Sequence, residues 1–172
     1  MGIGDFGKRP FGLIEAIVTE SGGGEHALQS ERLLTFAPVF DSGLLEGEDV
    51  VKEAAARLTH YTWELEEGGI PLPLYVALIG GTLSATGATD YYWRRDENDT
   101  IPYVKIQGRS IAEDGGDLEV TLFHCKVTRG LEGRLEKGQF YVTACSGVAV
   151  RDTASPYKFI EIRQKATAAA IT

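Results

Sequence analysis

The stretch "DLEVTLFHCKVTRGLEGRLEKGQFYVTACSGVAV", residues 117–150, decides the fold. Its two ends, "DLEVTLFHCKVT" (117–128) and "QFYVTACSGVAV" (139–150), read as strands, and the glycines between them suit a hairpin connection. Centring the hairpin near Arg134 pairs Cys125 with Thr143 and Phe123 with Cys145. Leu118, Val120 and Leu122 then share a side with Val148 and Val150, while nearer the turn the apolar set swaps to Phe123, Cys125, Val127, Tyr141 and Cys145. A strand with one solvated face keeps its apolar residues in phase. The swap therefore means either a β-bulge or a long twisted hairpin covered on opposite faces at its two ends. In the second case one cover is the domain's own core and the other a neighbouring subunit, which makes Phe123, Cys125, Val127 and Tyr141 interface residues. The same register sets the two cysteines about 7–8 Å apart as diagonal neighbours, at the outer limit for a disulfide. Two buried reduced thiols are expected, and no zinc, because neither cysteine has a second ligand at metal spacing.

The rest of the chain is read outward from this hairpin. "LTHYTWELEE" (58–67) alternates, with Tyr61, Trp63 and Leu65 on one side and His60, Thr62, Glu64 and Glu66 on the other, a strand with one wet face. "GLIEAIVT" (12–19), "PYVKIQGRSI" (102–111) and "YKFIEIRQ" (157–164) also read as strands. So does "ERLLTFAPVF" (31–40), with Leu34, Phe36 and Phe40 in step and Pro38 marking an edge or bulge. "GGIPLPLYVALIGG" is apolar all round; Pro71 and Pro73 suit a first helical turn and Gly80-Gly81 a stop, so one short buried helix is expected. Residues 41–58 resist this scheme: an acidic segment with a helix-leaning Glu53-Ala54-Ala55-Ala56 run, read as a long loop. The closing "KATAAAIT" (165–172) is an arm or a frayed tail.

Composition bounds the function. At 172 residues one domain can bury roughly 70% of its unfolded surface. A net charge of −8 argues against general affinity for nucleic acid backbones or anionic membranes. No stretch approaches the ~20 apolar residues of a membrane span, and "MGIGDFGKRPFG" has neither the apolar core of a secretory signal nor a complete myristoylation pattern. A chain that begins its life in a cytoplasm is expected. Chemistry is sparse. His26, His60 and His124 are far apart, and no nucleophile elbow, phosphate-cradling loop or His-Glu-x-x-His is present in the sequence. Asp96, Glu97, Asp99, Glu113, Asp114 and Asp117 crowd two loops without the alternating spacing of a calcium loop. "YYWRR" (91–95) could stack bases, but the acidic residues after it favour an oligomer contact. No enzyme, cofactor or metal is expected.

The order of segments resembles the major tail tube proteins of long non-contractile-tailed bacteriophages. The stretches that carry the resemblance are "FDSGLLEGEDVVKEAAARLTHYTWELEEGGIPLPLYVALIGGT" (40–82), "RRDENDTIPYVKIQGRSIAEDGGDLEVTLFHCKVTRGLEGRLEKGQFYVTACSGVAV" (94–150) and the final strand. It spans residues from about 12 to 164 and has no catalytic signature to anchor it; the proline pair Pro71/Pro73 departs from it and leaves the helix boundaries open. The resemblance implies a mainly β single domain, residues 1–172: two packed antiparallel sheets, sandwich or partial barrel, with one short flanking helix and a long loop. It implies six-fold rings of this chain stacked into a tail tube, with a tape measure protein and tail-end proteins as partners. Viral DNA passes through without specific binding, no membrane is involved, and the tube is a virion part assembled in the host cytoplasm.

On this reading residues 41–58 reach from ring to ring, with Leu44, Leu45, Val50 and Val51 as apolar contacts and Asp41, Glu46, Glu48, Asp49 and Glu53 keeping them soluble beforehand. Glu64 and Glu66 are candidates to line a negative lumen, which repels phosphates and denies the counterion release that drives DNA binding. Two alternatives stand beside it. One is another tail or baseplate component with the same fold, a tube initiator or terminator. The other is a small-ligand-binding β-barrel or an enzyme with an unrecognised site, a closed monomer with an interior pocket and 41–58 packed on itself.

Overall fold

A computed structural model describes residues 10–28, 30–47, 50–69, 71–112, 115–133, 136–138, 142–153 and 158–171. Among them the chain runs β1 (Pro10–Glu20), β2 (Glu25–Ala27), β3 (Glu31–Gly47), β4 (Val50–Glu67), α1 (Leu72–Ile79), β5 (Thr82–Thr86), β6 (Asp90–Arg94), β7 (Val104–Ala112), β8 (Asp117–Gly133), β9 (Thr143–Ala149) and β10 (Ile160–Lys165). The fold is mainly β, with two antiparallel sheets and one short helix, as the sequence implies. The large sheet has the order β2-β1-β7-β8-β9-β4-β3, with β10 also on β8; β5 and β6 form a small second sheet.

β8 is the organising strand. Thr121 pairs with both Gln107 and Glu161, and Cys125 with both Val104 and Ala149, so β7 takes one edge while β10 and then β9 share the other. The sheet changes course between those two pairings. Val104 opposes Cys125 but Ile106 opposes Leu122, so β8 carries one extra residue there. His124 absorbs it in the left-handed region, at φ 50°. An inserted residue shifts the side-chain phase by one: Val120 and Leu122 face the core before it, Cys125 and Val127 after it.

This bulge is the first of the two readings of the apolar swap, and it corrects the second. Cys125 and Val127, assigned to a neighbouring subunit on that reading, are 0% and 2% exposed inside the chain's own core. Phe123 lies on the other side, half-buried, with the Lys158 ammonium 5.9 Å from its ring centre. Tyr141 lies outside the described residues. The hairpin register is also corrected. Cys125 pairs with Ala149 and Thr143 with Gly133, because β8 runs on through two further register shifts before its last described pairing with β9. Cys145 instead lies opposite Leu65 of β4, and both thiols are free and buried. Burial pushes the Cys125 thiol far up, and burial followed by the nearby Glu64 carboxylate pushes Cys145 up to about 12, so both stay protonated at neutral pH.

The helix forms where its punctuation places it. Pro71 sits at the N-cap with φ −65° and Pro73 in the first turn, where a missing N–H costs nothing. Gly80 closes it with φ 77°, donating its N–H to the Val76 carbonyl at 2.9 Å. Leu74, Ala77, Leu78 and Ile79 enter one cluster with Ala16 and Val18 of β1, Trp63 and Leu65 of β4, Ile106, Leu122 and Cys125. The β5–β6 hairpin, which the sequence reading missed, is pinned to the helix through Trp93. Its indole N–H donates to the Gly80 carbonyl at 2.9 Å and its ring tilts against Tyr75 at 5.3 Å.

Residues 41–47 and 50–58 are strand and not loop. β3 and β4 pair residue against residue from Leu33↔Glu66 to Gly47↔Val50, through Asp41↔Arg57, Leu44↔Ala54 and Leu45↔Glu53. The Glu53–Ala56 run is strand, because continuous cross-strand pairing overrides a helix preference of tenths of a kcal/mol per residue. Residues 166–171 are not a frayed tail either: the Ala169 amide donates to Asp117 at 2.9 Å and the Ile171 amide to Glu15 at 3.3 Å.

Candidate assembly interface

The β3–β4 ribbon leaves the body at a second bulge. Val39 opposes His60 but Phe40 opposes Leu58, and the extra residue, Thr59, donates its hydroxyl to the Val39 carbonyl at 2.9 Å. The extra residue shifts the side-chain phase of β4, and the Phe40↔Leu58 pair that follows lies beyond the last pairing of β9 with β4, Tyr61↔Ala149. Phe40 was expected with Leu34 and Phe36 on the core face; instead it is 57% exposed at the base of the ribbon. β9 stops pairing with β4 at Tyr61↔Ala149. Beyond it, β4 from Val50 to His60 has β3 on one edge and no strand on the other among the described residues, and β3 has no second neighbour along its whole length. At about 3.4 Å per residue, Phe40 to Gly47 projects about 24 Å.

Edges of this kind are normally blunted. The opposite margin of the sheet shows how: there the three-residue β2 is held by a tight turn and by His26 Nε2 against Glu20 at 2.7 Å. The ribbon side carries Pro38, tolerated because β3 is an edge strand, but nothing else covers it among the described residues.

The expected site residues fall as follows. Asp41, exposed, lies opposite Arg57, and Leu44, Leu45, Glu46, Val50 and Val51 are in the ribbon by backbone pairing. Glu48 and Asp49 lie outside the described residues. Glu64 is exposed and Glu66 half-buried on the outward face of β4, opposite in sense to Trp63 and Leu65. Across that face Glu64 lies between Thr35 and Ser146, and Arg129 of β8 also lies opposite Ser146. In "YYWRR", Trp93 turns to the helix, while Tyr91 is 63% exposed and Arg94 covers the Tyr92 ring at 4.5 Å. The three histidines are dispersed: His26 on Glu20, His60 Nδ1 at 3.0 Å from the Thr59 hydroxyl, His124 stacked on Tyr103 at 3.8 Å. Among the described residues no group of three or more His, Cys, Asp or Glu could hold a metal ion, and no helix is long and apolar enough to cross a membrane.

A cleft of about 320 Å³ opens between β3 and the β1-β7-β8 side, lined by Leu13, Leu34, Phe36, Gly108, Leu118 and Val120. It opens at the margin of the core and is not an enclosed chamber, unlike the interior pocket expected of a closed ligand-binding barrel.

No known family profile and no curated protein matches the sequence. The fold does have a solved counterpart. It is similar to a chain in the cryo-EM structure of the anti-feeding prophage (AFP) baseplate, 6-fold symmetrised, with a TM-score of 0.51 and 15% identity. The similarity covers 91% of this chain and 94% of that one. At that identity the likeness is one of fold.

Proposed function

We propose that this chain is a structural subunit of a phage-type tail, built to join copies of itself into six-fold rings that stack into a tube. The observation that carries the reading is the β3–β4 ribbon: a two-stranded hairpin is marginal alone in water, yet this one extends beyond its sheet with both margins unpaired and Phe40 bared at its base. The fold it shares with a chain of a six-fold symmetrised prophage baseplate adds support. The subunit is a virion component and not an enzyme; its partners are other copies, a tape measure protein and tail-end proteins. The net charge of −8 suits a conduit wall that lets DNA pass without holding it, with Glu64 and Glu66 as lumen candidates.

The baseplate origin of the similar chain favours a second reading, a ring at one end of the tube that does not polymerise along it. Negative-stain microscopy of the concentrated protein separates the two. Tubes of stacked rings with a negatively charged inner wall are the expected result, and single closed rings support the end-component reading. A protein that stays monomeric both alone and with tube ends added as nuclei contradicts both.

A further inference from the structure

The outward face of β1, β7 and β8 holds a polar arrangement that the assembly reading does not use. By alternation Asp117 belongs to the solvated side of β8, opposite in sense to Leu118, Val120 and Leu122, yet it is 1% exposed. Its Oδ1 has no hydrogen bond among the described residues. Its Oδ2 lies 3.6 Å from Arg109 Nη1, and Arg109 Nε donates to Glu15 Oε2 at 2.7 Å. One guanidinium on β7 thus bridges carboxylates on the two strands that flank it, β1 and β8, and fixes their spacing. Both acceptor oxygens are directed at the same passing chain, the Ala169 amide on Asp117 Oδ2 and the Ile171 amide on Glu15 Oε2.

Alternate amides of an extended chain point the same way, roughly 7 Å apart, so a pair of fixed acceptors reads backbone conformation and not side-chain identity. Two features admit the chain closely. Residues 168–170 are alanines, with little bulk to hold it off. Gly116, at φ 83°, stands where a Cβ would overlap the Lys165 carbonyl oxygen as the chain leaves β10. Glu119 beside the site is neutralised by Lys165, with Arg163 at 4.0 Å, so the acidic groups are balanced by Arg109, Arg163 and Lys165.

We propose that Glu15, Arg109 and Asp117 form a binding site for the backbone amides of an extended, small-side-chain peptide, filled in this chain by its own residues 166–171. The segment is a detachable strap. Its side chains from Ala166 to Ala170 are exposed, and its hold on the body rests on the two amide bonds and the exit past Gly116. Its own copy wins the site through an effective concentration of order millimolar. Once lifted, it leaves acceptors that take the same sequence from outside.

The test uses the full-length chain. Ala169→Pro removes one amide donor in a segment outside every strand, so the body keeps its fold, which an amide correlation spectrum verifies. A synthetic peptide of residues 165–172 is then titrated while the Gly116 and Asp117 amide resonances are followed. The variant is expected to saturate at a peptide concentration at least 10-fold below that needed by the wild type. A peptide with proline at the position of Ala169 should bind at least 10-fold more weakly, as should the natural peptide when Asp117→Asn is added to the variant. Equal titration of wild type and variant, no binding to either at millimolar peptide, or equal binding of the proline peptide would each overturn the proposal.

Discussion

Replacing residues 41–57 by Asn-Gly, which joins Phe40 to Leu58 through a two-residue turn, will abolish assembly while leaving a folded monomer. The turn is of the kind that fits the twist of antiparallel strands. Among the described residues none of the buried cluster lies between 41 and 57, so the monomer's melting temperature should stay within about 3 °C of the full-length chain, as expected when no core contact is lost. Sedimentation of concentrated protein should change completely, from large particles to a single slow species. If the shortened chain still forms rings or tubes, the ribbon is not the assembly element; if it unfolds, the ribbon is part of the core.

The second large effect is expected at the centre of β9. Gly147 lies opposite both Val127 and Trp63. A Cβ there would overlap the backbone carbonyl oxygen of Lys126 and stand 2.7 Å from Trp63 Cζ2. Neither neighbour can give way cheaply, because the oxygen belongs to β8 itself and the indole is 2% exposed in the core. Overpacking of this kind costs about 3 kcal/mol, and at about 2–4 °C per kcal/mol for a chain of this size Gly147→Ala should lower the melting temperature by about 6–12 °C. Gly43→Ala is the matched control, since a Cβ there meets nothing within 4 Å and its backbone is not left-handed; its melting temperature should be that of the wild type. A Gly147→Ala protein that melts alongside this control would show that β8 and β9 are further apart than the structure places them.

The two glycines also mark how far the sequence could be read. Local signals carried well where one element fixes its own geometry. The alternation of Tyr61, Trp63 and Leu65 gives the β4 face, and Pro71, Pro73 and Gly80 bracket α1. The phase swap in 118–127 announces the bulge at His124, but sequence alone does not choose between a bulge and a second covered face. That choice is made by β7, whose Val104 and Ile106 set how many β8 residues must fit between them. The ribbon was missed because Glu53-Ala54-Ala55-Ala56 prefers a helix locally, and only pairing with Ser42 to Leu45 overrules it. The bulge at Thr59, and with it the exposed place of Phe40 at the base of the ribbon, depends on the same pairing. Glu15, Arg109 and Asp117 were out of reach for a different reason. Glu15 and Arg109 are separated by 94 positions, and nothing near either residue announces the other.

The central claim is that the ribbon's unpaired margins are completed by other copies of the chain, and amide hydrogen exchange tests it most directly. The amides to follow are those of β3 that point away from β4, and those of β4 between Val50 and His60 that point away from β3. In dilute monomeric protein they should exchange nearly as fast as an unstructured chain, and on assembly they should slow at least 100-fold while core strands such as β7 change little. Slow exchange of these amides already in the dilute monomer, or fast exchange in the assembled particle, would contradict the account.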